Sequence, residues 1–154
     1  MTNAVNIATQ FIKKWEGCRL KAYQDQVGVW TIGYGQTGSN VVEGLEIDQA
    51  TADHWLEGRV MLLETEIAKH LEVSLADEEM AALISFSYNE GLHALLMSTL
   101  FRMINNNQYT IEEEIAEMLK WDIAGGLHNV GLRNRREAEA ILFRQGYEVN
   151  YVES

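Results

Sequence analysis

Apolar residues recur at helical spacing in the opening stretch, where Val5, Ala8, Phe11, Ile12 and Trp15 share one face and predict a helix from about Asn3 to Trp15. Past Gly17 the pattern changes. Up to Leu45, glycines punctuate the alternating polar and apolar residues of KAYQD and VWTIGYG, as in short strands joined by tight turns. From Asp48 onward everything reads as helix. Asp48 can cap a helix running to about His70, and Asp77 one that contains MAALISFSYNE and stops at Gly91. Ser98 opens STLFRMINN, and Thr110 with Glu113 forms a capping box ahead of IEEEIAEMLKW. The last helix lies in LRNRREAEAILFRQ and ends at Gly146. A small β-rich insert after one helix, followed by several helices, is an α+β arrangement of two lobes, and a cleft between lobes is a natural place for a ligand. The expected boundaries are a β-rich lobe over about residues 16–47, a joining helix over 48–70, and a helical lobe made of 1–15 and 60–154. Segregated strands and helices exclude a doubly wound parallel sheet.

Composition narrows the class. A chain of 154 residues that is 47% hydrophobic can bury one sizeable core and is too apolar for disorder. Its single cysteine, Cys18, cannot form an internal disulfide, which favours a reducing compartment. No stretch approaches the roughly 20 apolar residues a membrane-spanning helix needs. The opening MTNAVNIATQFIKKWEG lacks the basic start, apolar centre and cleavage site of a signal peptide. The expectation is a protein made in the cytosol, without membrane insertion. Its net charge of −11 argues against nucleic acid as a partner. That charge is concentrated between residues 43 and 117, which hold 16 acids and 3 bases, so an anionic partner should meet the chain's two ends. Lys13, Lys14, Arg19, Lys21, Arg133, Arg135, Arg136 and Arg144 would then give the substrate side a positive bias, the acidic middle facing away.

Several motifs carry no chemistry. Residues 33–38 fit GxGxxG, but no helical pattern opens there to receive a pyrophosphate. His54, His70, His93 and His128 are scattered, with no second cysteine, so neither a metal nor any other cofactor is expected. Cys18 reads as a small buried apolar residue, and a GxSxG elbow is missing.

The carboxylates over residues 16–25 differ. Glu16 closes an apolar helix beside Trp15, a partly dry setting in which a carboxyl can serve as general acid. Asp25 sits at a polar, solvated strand end, and Thr31 offers a hydroxyl that can hold a water. Two carboxyls in unlike environments plus a held water are the equipment of glycoside hydrolysis, although such pairs also occur as ordinary surface and turn residues.

At these residues the chain resembles a known family. Trp15-Glu16-Gly17, Leu20-Lys21-Ala22-Tyr23, Asp25, and Trp30 to Gly35 followed by Thr37-Gly38 are similar to the phage lysozyme (endolysin) family, glycoside hydrolase family 24. The likeness continues through Ser85 to Asn89 with Gly91, Ser98-Thr99-Leu100 with Arg102, Trp121 with Gly125-Gly126, and Gly131 to Glu139 with Leu142-Phe143. The resemblance implies an α+β, lysozyme-like fold: a small β-rich N-terminal lobe, a larger helical C-terminal lobe, and the active-site cleft between them. It implies a muramidase that hydrolyses the β-1,4 bond between N-acetylmuramic acid and N-acetylglucosamine in peptidoglycan, lysing the host at phage release. Glu16 would protonate the departing oxygen, Asp25 would take a proton from water, Thr31 would orient that water, and the anomeric centre would invert. Arg135 matches the family arginine that approaches the glutamate. Tyr88, Asn89, Gly35, Thr37 and Ser98 fall where the family contacts substrate. Gln36 stands where the family commonly has His, and Glu90 where an apolar residue is usual. The implied protein is a monomer without cofactor, acting on glycan strands, held in the host cytoplasm until a holin opens the membrane. A wall-binding protein without turnover, or a lytic transglycosylase, are the alternatives on the same scaffold.

Overall fold

A computed structural model describes residues 1–151 of the chain. Helix α1 (Asn3–Glu16) opens on Thr2, whose hydroxyl accepts the Val5 N–H, and buries Val5, Ala8 and Ile12 along one stripe. After Gly17 come β1 (Arg19–Gln24) and β2 (Trp30–Gly33), an antiparallel pair in register at Tyr23–Thr31 and Gln24–Trp30, with an irregularity between Arg19 and Tyr23. The chain returns along the other edge of β1, where Ala22 N–H donates to the Leu45 carbonyl and Ile47 N–H to that of Leu20, both at 2.9 Å. This is the small lobe. Its buried Tyr34 joins the main core.

Asp48 caps α2 (Gln49–His70) by accepting the Thr51 N–H at 2.7 Å. Ala52, Leu56, Val60, Leu63 and Ile67 form its buried stripe at the spacing of one helical face. Helix α3 (Asp77–Glu90) is buried continuously from Ala81 to Ser87, as a helix apolar on all sides must be, and it packs between α1 and α7. Then follow α4 (Leu92–Leu96), α5 (Thr99–Asn106, capped by Ser98), α6 (Ile111–Leu119, with the Thr110–Glu113 capping box), β3 (Ile123–Ala124), β4 (Leu127–His128) and α7 (Val130–Tyr151). Among the described residues no helix is long and apolar enough to cross a membrane.

Three expectations change. Asp77 is not the cap of α3. Ala76 holds that place, its N–H accepted by Glu79 from inside the helix at 3.0 Å, while Asp77 accepts from the Asn3 side-chain amide. Not everything beyond Asp48 is helical, because β3 and β4 form a hairpin. Gly125 and Gly126 both take left-handed φ, +59° and +82°, as a tight hairpin turn requires. The nearly buried Asp122 carboxylate fixes this hairpin through His128 Nδ1 and Arg133 Nη2, each at 2.9 Å. Finally, Gly146 does not stop α7. It lies against the start of α3, where a Cβ would come within 2.7 Å of Glu79 N, so the glycine serves a close helix contact rather than a helix end. Helices α3 and α7 therefore run antiparallel, Glu79 meeting Gly146 at one end and Asn89 and Glu90 meeting Arg136 at the other.

Candidate active site

The last residue of α1 is Glu16, released by the left-handed Gly17 (φ +63°) into the junction between the lobes. Its surroundings are set by Arg135 of α7, whose Nη1 lies 2.6 Å from Glu16 Oε1, rather than by Trp15, whose ring packs on Phe11 instead. Arg135 is itself held from three sides. Its Nη2 donates to the Ser85 carbonyl at 3.3 Å and its Nε to Glu139 Oε2 at 3.4 Å. Ser85 Oγ also donates to Glu139. Arg136 faces Glu139 Oε1 at 2.7 Å, Glu90 Oε1 at 2.6 Å and Asn89 Oδ1 at 2.8 Å, and lies over the Phe86 ring. Arg136 and Glu139 are fully buried, and burial pushes the Glu139 carboxyl up while both guanidiniums and Ser85 hold it back. A buried carboxylate needs such partners, since an uncompensated one is strongly destabilising.

The second oxygen, Glu16 Oε2, faces Gly35. A Cβ at position 35 would sit 2.8 Å from it, and φ there is +80°. Gly35 opens a cleft of about 550 Å³, lined from the β lobe by Gly35, Gln36, Thr37, Asn40 and Val41, and from the helical side by Trp55, Arg59 and Tyr88. The loop is tied to the helices by hydroxyl contacts. Tyr88 donates to the Tyr34 carbonyl, and Tyr34 donates to Asp53 Oδ1 at 2.8 Å. Burial and then the Asp53 charge push the Tyr34 phenol up to about 12, and the bonds from Tyr34 and Gln49 hold Asp53 low. Burial, then the Glu16 charge, also raises Tyr88.

Asp25 occupies the β1–β2 turn and is exposed. Its Oδ1 accepts the N–H groups of Val27 and Val29 at 3.0 and 2.8 Å, and among the described residues Oδ2 accepts nothing. Thr31 is buried. Its hydroxyl donates at 2.9 Å to the Val29 carbonyl, which also takes the Asp25 N–H at 2.9 Å, so the two residues share one anchor. The structure thus brings Glu16, Arg135 and Gly35 together, puts Thr37 and Tyr88 on the same cleft, and sets Asp25 with Thr31 in the hairpin. Asn89 is engaged by Arg136 outside the cleft lining. Ser98 is buried, its hydroxyl donating to the Leu95 carbonyl at 2.6 Å and accepting the Phe101 N–H at 3.0 Å, as a helix cap does.

Gly33, Gly35 and Gly38 all take left-handed φ in a turn, and no helix opens among residues 33–38. Of the eight residues expected to give a basic bias, Lys14 and Arg19 form no ion pair among the described residues, but the other six do. Lys13 pairs with Asp53 at 3.4 Å, Lys21 with Glu46 at 3.8 Å, Arg133 with Asp122, Arg144 with Glu112 at 3.1 Å, and Arg135 and Arg136 with buried or half-buried acids. Opposite charges this close cancel each other's field at a distance. Among the described residues no three His, Cys, Asp or Glu side chains converge as for a metal ion. Sequence reading missed Asn40, Trp55 and Arg59. The signal was present for the last two: each falls one residue before a member of the Ala52–Leu56–Val60 stripe, so the indole lies off the buried face and shares its own face with Arg59.

A family profile described as Phage lysozyme matches residues 13–139. The endolysin of Bacillus phage B103 is 36% identical over 150 residues, which cover 96% of this chain and 56% of that protein. The chain spans about half the length of the first curated relatives it matches, 56% and 54%. Among solved structures, an endolysin from Escherichia coli O157:H7 phage FAHEc1 superposes with a TM-score of 0.82 at 29% identity, covering 92% of this chain and 93% of that one. The muramidase domain of SpmX from Asticaccaulis excentricus gives 0.78 at 29% identity, covering 88% and 93%.

Proposed function

This chain belongs to the phage lysozyme family, and we propose that it is an endolysin that hydrolyses the β-1,4 bond between N-acetylmuramic acid and N-acetylglucosamine in bacterial peptidoglycan. Its fold is the α+β, lysozyme-like one, a small β lobe against a larger helical lobe. The observation that carries the reading is the setting of Glu16: one carboxyl oxygen pinned by a buried arginine, the other turned toward the glycine that opens the interlobe cleft.

Glu16 is the acid in this mechanism. It protonates the departing glycosidic oxygen, and the carboxylate left behind is stabilised by the Arg135 guanidinium already in contact with it. Asp25 takes the proton from the attacking water with its uncommitted Oδ2. Thr31, whose hydroxyl hydrogen is bound to Val29, offers lone pairs that orient that water. Attack on the face opposite the leaving group inverts the anomeric centre, as in family 24 glycosidases, and calls for carboxyls roughly 6.5–9.5 Å apart. Gly35, Thr37 and Tyr88 contact the saccharide. Asn89 and Ser98 are already engaged elsewhere and are not part of the proposal. Residues 1–154 act as a single lysozyme domain and as a monomer, from the host cytoplasm, once a holin has opened the membrane.

Wall clearing by Glu16→Gln tests the acid directly. Activity should fall by about 10²–10⁴-fold with the fold retained, since the amide keeps the shape but has no proton to give. Equal activity would reject Glu16. Mass spectrometry of the released fragments should find reducing ends with one added water. An anhydro sugar would mean a transglycosylase, and binding without release a non-hydrolytic wall protein.

A further inference from the structure

We propose that Trp55 and Arg59, one turn apart on α2, form a subsite for the carboxylate-bearing part of a peptidoglycan strand, the lactyl and stem-peptide acids of its muramic residues. The inference rests on the muramidase reading and adds the element that separates an anionic wall polymer from a neutral one. Both side chains line the cleft that Gly35 opens. Trp55 is 38% exposed, its indole leaving the buried stripe of its own helix and facing solvent beside the cleft. An exposed aromatic face of this kind packs on a pyranose ring.

Arg59 supplies the charge. Among the described residues lining this cleft it is the sole ionised side chain, and it forms no ion pair with any of them. Among the described residues Arg19, which lies over the Tyr23 ring, and Arg102 also form no ion pair, but neither lines the cleft. The guanidiniums of Arg133, Arg135, Arg136 and Arg144 each lie within 4 Å of a carboxylate, and the surrounding stretch of 43–117 holds 16 acids against 3 bases. An arginine left open where acids are plentiful, facing the cleft rather than an internal partner, is a donor fork awaiting an external carboxylate. A homopolymer of N-acetylglucosamine offers the indole the same ring faces but the guanidinium no acid. Trp55 therefore serves both polymers, and Arg59 adds affinity for muropeptides only.

The test compares wild type, Arg59→Gln and Trp55→Ala on soluble peptidoglycan fragments and on chitotetraose, with calorimetric binding of a disaccharide-tetrapeptide muropeptide and of chitotetraose in parallel. Arg59→Gln should raise KM on peptidoglycan about 5-fold at low salt with kcat nearly unchanged, weaken muropeptide binding to a similar degree, and leave chitotetraose binding as it was. The difference should shrink in high salt. Trp55→Ala should weaken both ligands. If Arg59→Gln affects neither ligand, or both alike, the subsite is overturned while wild-type lysis keeps the muramidase reading. If wild type cleaves no wall, that reading fails, and the calorimetry alone decides the subsite: selective loss of muropeptide binding supports it, and unchanged binding rejects it.

Discussion

Helices α3 and α7 bury acids at both ends of their contact, and the two ends solve the problem differently. At the cleft end Glu139 is enclosed by Arg135, Arg136 and Ser85, and the same guanidiniums reach out to Glu16 and Glu90. At the far end Glu79 and Glu114 face a polar cavity of about 140 Å³ alongside Asn107, Tyr109 and Tyr147, and neither carboxylate has an ion-pair partner among the described residues. Burial, then the charges of Glu79 and Glu113, pushes Glu114 up to about 7, and burial raises Glu79 as well. One end meets its acids with arginine, whereas at the other, among the described residues, burial raises the carboxyls with no arginine beside them. An ion-paired carboxylate has a fixed direction and reports it to its neighbours. A carboxyl raised by burial alone has no charged partner that fixes it. The first arrangement fixes the direction of Glu16, whereas the second has no such reach.

The largest effect should come from breaking the paired end. Glu139→Gln leaves two buried guanidiniums short of their shared counter-charge, and removing one partner of a buried pair costs about 3–5 kcal/mol. Urea unfolding at pH 7 measures it. Wall clearing should fall too, because the Glu139 and Ser85 contacts hold Arg135 against Glu16 and the first of them is weakened. A loss below about 1 kcal/mol would mean that the network does not organise this end.

Next is the far end's backbone contact. Gly146→Ala would drive a Cβ to within 2.7 Å of Glu79 N and 2.8 Å of its Cγ, and overpacking of this kind costs about 1–3 kcal/mol even after alanine's better helix propensity. Thermal unfolding checks the sign. Stabilisation would show that α3 and α7 have room to separate there.

How much of this was legible in the sequence follows from range. Helix faces, the Asp48 and Thr110 caps and the glycine-punctuated β segment depend on neighbours a few residues away, and those expectations agree with the structure. Gly146 was read as a helix end because a glycine's local meaning is a stop, while its actual constraint comes from Glu79 across an interface. The β3–β4 hairpin is too short to show alternation, though Gly125-Gly126 was a local signal for it. Asp77 was chosen as a cap by residue type, yet Glu79 at the third position supplied the acceptor. At the candidate site, spacing and resemblance singled out Glu16, Asp25 and Thr31 as the proposed catalytic residues. That Lys13, Arg133 and Arg144 would be spent on internal acids could not be read in this way, since charge counts along a chain do not say which charges meet.

The end without arginine should also betray itself through pH. The folded state keeps the Glu114 proton up to about pH 7, where an ordinary glutamate has lost it near 4.5, so between these values the folded protein binds more protons than the unfolded chain. Stability from this group is then full below about pH 4.5 and is lost as pH rises through about 7. Screening of a half-exposed carboxyl limits the effect to about 1 kcal/mol. Urea midpoints for wild type and Glu114→Gln should diverge with rising pH, the variant being the more stable at pH 8. Parallel profiles would show that Glu114 is ionised throughout.

The smallest effect isolates burial from charge pairing. Arg144 and Glu112 join α7 to α6 with their guanidinium and carboxylate 3.1 Å apart, closer than the 3.4 Å Arg135–Glu139 contact at the cleft end, but with side chains 42% and 67% exposed. In water each partner is solvated whether or not the other is there, so Arg144→Ala should cost no more than about 0.5 kcal/mol, and less in added salt. Glu139 and Arg144 lie on the same helix within two turns of each other, so helix propensity and position along α7 are nearly matched between the two variants. If Arg144→Ala cost as much as Glu139→Gln, proximity of charge alone would account for the cleft end. A several-fold gap between them assigns the difference to desolvation, the property by which one end of this helix pair holds the proposed acid in place.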